Sequence, residues 1–409
     1  MDSVSSSRKE MPYVTTQMLS YKIGGKIWLA LTIISALVGL GLWVYQMNRG
    51  LYITDMRDLT SWGLYITMFM FFVGLSAGGL IIATVPRVFQ FRGFKPVSKV
   101  AVFLSICCTI LAAAFIIVDL GRPGRIWHLI AYSNLDSPLM WDVLVITTYL
   151  MISIVYLGIV LRVEKGKGSE RALNALSTTA FVTAVLVHSV TAWIFGLQMA
   201  RPFWHSSLLA PMFISSALVS GLALTLFVVL ILKNVGYLQK DSDTLGRMAK
   251  LLGIFVLVDL FLLFCELLTA FYPLGGTEYA AFRMMLGGVF APMFWTEVLG
   301  GLFAAYLLLK ESTRMRTGLV GFASLLAIIG VFFKRYQLLL ARFGLPNLTY
   351  AGVTTGPQAS DAGSLWHLLG SAFFYFPSLA EWGITIGILS LGATMMTLGL
   401  KYLELKPLE

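Results

Sequence analysis

Apolar runs of about twenty residues, separated by short polar stretches, recur along the chain from residue 27 to residue 400. Each is long enough to cross a hydrocarbon core as a helix, the form in which the backbone satisfies its own hydrogen bonds. Ten spans are predicted, at 27–47, 62–85, 99–118, 141–161, 173–195, 209–232, 248–272, 286–309, 317–340 and 373–400. The expected fold is an all-α integral membrane protein with no separate soluble domain. Residues 1–26 are polar at their start ("MDSVSSSRKEMP") and lack the apolar core and cleavage site of a signal peptide, so a cytoplasmic N-terminal segment is expected. Residues 341–372 read as an extracytoplasmic loop, and 373–409 as the last helix with a cytoplasmic tail.

The spans resemble one another in pairs. "SPLMWDVLVITTYLM" (137–151) and "APMFWTEVLGGLFAAYLLL" (291–309) share a proline, a tryptophan three residues on, and then an acid. "GLSAGGLIIATV" (74–85) and "ALVSGLALTLFV" (217–228) both gather small residues that let helix backbones approach closely. Asp119 ends span three as Glu266 lies near the end of span seven. The matches keep their order at separations of 143 to 154 residues. They predict two tandem four-helix bundles, spans 2–5 (residues 62–195) and spans 6–9 (residues 209–340), flanked by spans one (27–47) and ten. An even number of spans per unit leaves both the same way up, as in parallel membrane repeats.

Composition agrees with membrane insertion: 58% of residues are hydrophobic and 12% charged, with a mean hydropathy of +0.82. A soluble chain carries roughly twice that charged fraction. The net charge of +10 would suit a nucleic-acid partner, but its placement does not. Twenty-one Lys and Arg fall in the termini and even-numbered loops with their flanks, seven in the odd-numbered loops, and two (Lys334, Arg335) inside span nine. That bias predicts a multi-pass protein with both termini cytoplasmic. A bacterial inner (cytoplasmic) membrane is the expected location. Cys107, Cys108 and Cys265 all lie within spans without CxxC spacing, so buried apolar thiols are expected rather than an iron–sulfur cluster or disulfide.

Ionisable side chains inside a membrane are costly and mark candidate sites. Asp119, Asp142, His188, Glu266, Lys334, Arg335 and Glu381 fall toward the extracytoplasmic half, Asp259 and Glu297 near mid-membrane. The outer loops add "DLGRPGRIWHL" (119–129) and "FGLQMARPFWHSSLLAP" (195–211), and span two opens "SWGLYI" (61–66). Together these place Trp62, Tyr65, Trp127, His128, Tyr132, Asp142 and Trp204 near one surface. Single aromatics there suit an interfacial belt. The group with Asp119, His128 and Asp142 suits a flat headgroup that accepts or releases protons, with His128 and the acids as proton-transfer residues.

Other polar residues admit plainer readings. Arg122 and Arg125 anchor a helix end or pair with Asp119, and with Arg201 are structural or partner-facing. His188 reads equally as a core histidine or a proton carrier. His205 and His367 are expected in exposed loops. Lys334 and Arg335 are expected to balance Glu266 or Glu297. Asp259, Glu266, Glu297 and Lys334 form a candidate proton path, below which only hydroxyl groups such as Tyr306 continue toward the cytoplasm. A transmembrane haem takes axial ligands from helices, and one of four histidines lies in a span, so no haem is expected. No metal site and no nucleotide motif is read.

Taken together, "WGLYITMFMFFVGLSAGG", "DLGRPGRIWHL", "SPLMWD", "ARPFWHSSLLAPMFISSALVSG" and "FFKRYQ" resemble the polysulfide reductase membrane-subunit (NrfD-like) family across spans two to nine. Ten spans also resemble its larger members, in alternative complex III and the periplasmic quinone-reductase complex. The resemblance implies a haem-free subunit that binds quinone (menaquinone or ubiquinone) as substrate. It implies an extracytoplasmic ferredoxin-like iron–sulfur partner, with a molybdopterin-type or multihaem cytochrome subunit beyond it. It also implies a quinone pocket in the first bundle, mapping onto Trp62, Tyr65, Asp119, His128 and Asp142. A proton-translocating or solute-transport subunit, or a passive anchor, is the alternative class.

Overall fold

The computed structural model describes residues 23–56, 60–89, 97–199, 201, 203–238, 242–273, 276–343, 375–403 and 405. Ten helices in it are long and apolar enough to cross a membrane. They are α1 (Ile23–Arg49), α2 (Leu64–Val88), α3 (Ser98–Asp119), α4 (Pro138–Glu164) and α5 (Glu170–Gly196), then α6 (Leu209–Asn234), α7 (Ser242–Phe271), α8 (Ala291–Leu309), α9 (Thr317–Phe343) and α10 (Leu379–Tyr402). The expected N-terminal segment before residue 23 and nearly all of the 341–372 loop, with His367, lie outside the described residues.

Local chemistry sets several helix starts. Pro138 and Pro292 open α4 and α8, where a missing N–H costs nothing. Ser169 caps α5 by accepting from the Ala172 amide, and Ser378 with Glu381 forms a capping box on α10. Two corrections concern the predicted ends. Residues 286 and 287 do not open span eight; they finish a separate helix, Gly276–Gly287, before α8 begins at Ala291. Span ten does not begin at 373: residues 375–378 are non-helical, and α10 starts at Leu379 behind its capping box.

Helices α2, α3, α4 and α5 pack as a closed ring, and α6, α7, α8 and α9 pack as another in the same cyclic order. The rings meet through α2 against α6 and α9, and α5 against α6, while α10 packs between α1 and α3. Helix α2 is the hub, with 94% of its apolar stretch buried, whereas α1 buries 11%. The hub depends on glycine. A Cβ on Gly78 would overlap the Ala217 carbonyl, and one on Gly221 would overlap the Gly78 backbone, so α2 and α6 touch main chain to main chain. Inside the first ring, buried hydroxyls of Ser76, Ser105, Thr109 and Tyr149 bond one another across α2, α3 and α4, with Ser76–Thr109 and Ser105–Tyr149 both 2.6 Å apart. These bonds hold helices together where the hydrophobic effect between them is absent.

Candidate functional site

The connections 50–63, 120–137, 197–208 and 272–290, with residues 375–378, share one end of the bundle, here the odd-loop end. Near it a hydrogen-bonded string joins neighbouring helices. The Tyr65 hydroxyl, fully buried on α2, donates to Oε1 of Gln46 on α1 at 2.8 Å. Gln46 Nε2 donates to the Val118 carbonyl on α3 at 2.9 Å. The next residue, Asp119, has a buried Oδ1 with no hydrogen-bond partner. Glu381, fully buried at the start of α10, lies within electrostatic reach of both Asp119 and Tyr65.

Glu381 is held from several sides. Its Oε2 accepts from the backbone amides of Asp55 (3.0 Å) and Ser378 (2.9 Å), and its Oε1 accepts from the Tyr375 hydroxyl. Tyr375 in turn accepts from the Leu64 amide at 2.7 Å, one of the free donors in the first turn of α2. Burial, and then the adjacent Glu381 charge, keep the Tyr375 phenol protonated well above the ordinary tyrosine range. It therefore serves as a donor to the carboxylate. Asp55 Oδ2 accepts from the Phe376 amide at 2.9 Å, closing the lock between the first connection and the approach to α10.

The same end of the bundle holds an aromatic cluster. Trp62 stacks with Trp204 at 6.3 Å and meets Phe195 and Phe343 edge-on at 5.9 and 6.5 Å. Trp204 is fixed by its indole N–H, which donates to the Leu338 carbonyl at 2.8 Å. Arg201 is not free for solvent alone: its guanidinium lies over Trp204 and Phe343, 5.1 and 4.9 Å from the ring centres.

The structure does not join His128 to the acids named with it. His128 is exposed on a short helix, His128–Ala131, with its ring against Trp127 (4.0 Å) and Tyr132 (5.4 Å). Asp142 is buried on α4 and accepts from Thr191 of α5 at 2.6 Å. Among the described residues no hydrogen bond links His128 to Asp119 or Asp142. Arg122 and Arg125 are exposed, and neither pairs with Asp119 among the described residues. His205 is exposed, with Nδ1 2.9 Å from the Gly196 carbonyl. His188 is buried on α5 close to Gly74 and Arg335, with neither ring nitrogen in hydrogen-bonding geometry.

The second ring holds the other polar centre. Lys334 Nζ lies 2.5 Å from Asp259 and 3.4 Å from Glu297, and Ser215 donates to Asp259 at 2.6 Å. Gln337 reaches Glu297 at 3.4 Å, as Thr191 reaches Asp142 in the first ring. Glu297 is a counter-ion of Lys334, as expected, and Asp259 is a second, nearer one. Asp259 is the main partner of Lys334, Arg335 is held by Ser216 (2.6 Å) and the Phe213 ring (3.7 Å), and Glu266 stands apart, accepting from Ser206 at 3.1 Å.

A search of the sequence for ionisable groups passes over Gln46, Tyr375 and Thr191, which supply these bonds. A lone amide in "LWVYQMN" is the available signal for Gln46. Tyr375 and Thr191 look like any interfacial or core side chain until their partners are placed.

Ten membrane-length helices define a multi-pass membrane protein, and the linked polar groups at its odd-loop end are the candidate site. The chain belongs to the NrfD family, described as polysulphide reductase, whose profile matches residues 53–344. It is 34% identical to a putative dimethyl sulfoxide reductase membrane subunit of Halobacterium salinarum, over 93% of this chain and 92% of the relative. It is 26% identical to a selenate reductase subunit of Mesobacillus selenatarsenatis, over 90% and 91%. It is 22% identical to the menaquinone reductase integral membrane subunit of Nitratidesulfovibrio vulgaris, over 94% and 92%.

Proposed function

We propose that this chain is the quinone-interacting membrane subunit of a respiratory oxidoreductase complex, with the odd-loop end extracytoplasmic and both termini cytoplasmic. The single observation that carries the reading is the buried, unpartnered Asp119 Oδ1 beside the Tyr65–Gln46 bond. A quinone headgroup is flat, accepts hydrogen bonds at its carbonyls and takes up or releases two protons with two electrons. The residues fit such a group: Asp119 Oδ1 is a free oxygen that can hold or accept a proton, and Trp62, on the same end of the bundle, heads an aromatic cluster suited to a flat ring. A relative's name, menaquinone reductase, supports the same substrate class.

In this reading the electrons pass to or from a docked extracytoplasmic ferredoxin-like iron–sulfur subunit, itself served by a molybdopterin-type or multihaem cytochrome subunit. Asp119 moves the proton at Oδ1. His128, exposed at the surface, exchanges protons with the aqueous phase. Asp142, tied to Thr191, holds the start of α4 against α5. The test is turnover of a short-chain menaquinol analogue by the assembled complex carrying Asp119→Asn or His128→Ala. Asp119→Asn is expected to lower turnover by about a hundredfold, the lower range for a positioned acid–base group. Wild-type turnover in both variants would overturn the assignment.

A second reading, proton movement coupled to this chemistry, rests on the linked polar groups Lys334, Asp259, Glu297 and Gln337 across α7, α8 and α9. Proteoliposomes containing the whole complex and a pH-sensitive lumenal dye test it. Lumenal pH change that survives Asp259→Asn and Glu297→Gln would refute it.

A further inference from the structure

The family profile begins at residue 53 and ends at residue 344, so α1 and α10 lie outside it. Yet the polar string at the odd-loop end is completed by side chains from these two helices. Gln46 of α1 is 2% exposed and accepts the hydrogen bond of the Tyr65 hydroxyl, while its amide grips the carbonyl before Asp119. Trp43 stands three residues earlier on α1, on the same helix face, and its indole N–H is buried without a partner. An indole donor out of water and unbonded is costly. Glu381 of α10 reaches the same place from the other side, immobilised by the Tyr375 lock.

We propose that α1 and α10 are working walls of the quinone site rather than peripheral anchors. Trp43 is the hydrogen-bond donor to a carbonyl of the headgroup. Gln46 is a positioning residue that orients the Tyr65 hydroxyl toward α1 and fixes the end of α3 so that Asp119 Oδ1 faces the ligand. Glu381 is a fixed carboxylate that keeps the first turn of α2, and hence Trp62 and Tyr65, in register with α10. The ligand class is a hydrogen-bond-accepting quinone headgroup. This inference rests on the quinone reading of the site.

The experiment measures KM and kcat for a short-chain menaquinol analogue with the assembled complex. The variants are Trp43→Phe, Gln46→Leu, Tyr65→Phe, Gln46→Leu/Tyr65→Phe and Asp119→Asn. Dye-linked activity of the partner subunits, which bypasses the quinone, reports assembly. Trp43→Phe is expected to raise KM about five- to tenfold, the loss of one hydrogen bond, with kcat within about twofold of wild type. Gln46→Leu is expected to be impaired at least as much as Tyr65→Phe, since it also releases the Val118 carbonyl, and the double variant to be no worse than Gln46→Leu, because Tyr65 acts through the bond that Gln46→Leu already removes. Additive losses in the double variant, or an unchanged KM in Trp43→Phe and Gln46→Leu, would overturn the inference. If those two are silent while Tyr65→Phe and Asp119→Asn are impaired, α1 is excluded and the site stands. If all four are silent, the quinone reading of this site falls with it.

Discussion

Lys334→Met removes one charge from a group of four that the protein keeps out of water. Asp259, Glu297, Lys334 and Arg335 are each at most 7% exposed, so two cations and two acids must neutralise one another. Methionine keeps much of the length and apolar stem of lysine but leaves Arg335 alone with both acids. Asp259 retains Ser215, and Glu297 retains Gln337 at 3.4 Å, neither of which carries charge. Breaking a buried pair by deleting one partner costs about 3–5 kcal/mol. With an unfolding entropy of about 2.1 cal/mol/K per residue, the 409-residue chain has roughly 0.9 kcal/mol/K, so the midpoint should fall by about 4–6 °C. Thermal unfolding of the detergent-solubilised complex, followed by tryptophan fluorescence and by the fraction surviving size exclusion, measures it. Lys334→Met/Asp259→Asn restores balance and should recover more than half of the loss. A single variant within about 1 °C of wild type, or a double variant worse than the single, would refute the reasoning.

Three further outcomes follow from the packing. Thr191→Val deprives buried Asp142 of its hydroxyl donor and should cost about 1–3 kcal/mol in thermal stability, whereas Thr191→Ser should retain most of it. Gly78→Leu should abolish accumulation of assembled protein, because α2 and α6 meet at backbone contact there, while Gly41→Leu, with no atom near its would-be Cβ, should accumulate normally. Tyr375→Phe leaves the Leu64 amide and Glu381 Oε1 without their shared partner, so hydrogen exchange in the first turn of α2 should quicken by about ten- to a hundredfold, an opening eased by about 1–3 kcal/mol.

Much of the architecture was legible because membrane insertion imposes length and apolarity on every span, and the ten predicted runs coincide with ten helices, with ends displaced by up to six residues at the starts of α7 and α10. The departure at residues 286–290 is instructive: "MLGGVFAPM" stays apolar across a helix end and a new start, and hydropathy has no mark for that break. The cost of buried charge pointed to Asp119, Glu297 and Lys334. It could not say which charge meets which, since Lys334 and Asp259 lie 75 residues apart and come together by helix rotation within a ring. Neutral partners left still less trace. Gln46 and Thr191 matter through single hydrogen bonds to Tyr65 and Asp142, and one-dimensional pattern does not reveal a bond between helices. Helix α1 reads as peripheral for the same reason: its sequence does not show that Gln46 points inward, whereas Glu381 on α10 stood out by its charge.

The central claim is that quinone is held at the odd-loop end of the first ring, against α1, α2, α3 and α10. Photolabelling of the purified complex with an azidoquinone, followed by peptide mapping, tests it most directly. The account predicts label on peptides containing residues 43–46, 62–65 or 119–128, suppressed by excess unlabelled quinone and diminished in Asp119→Asn. Competable label confined to α6–α9 would contradict it.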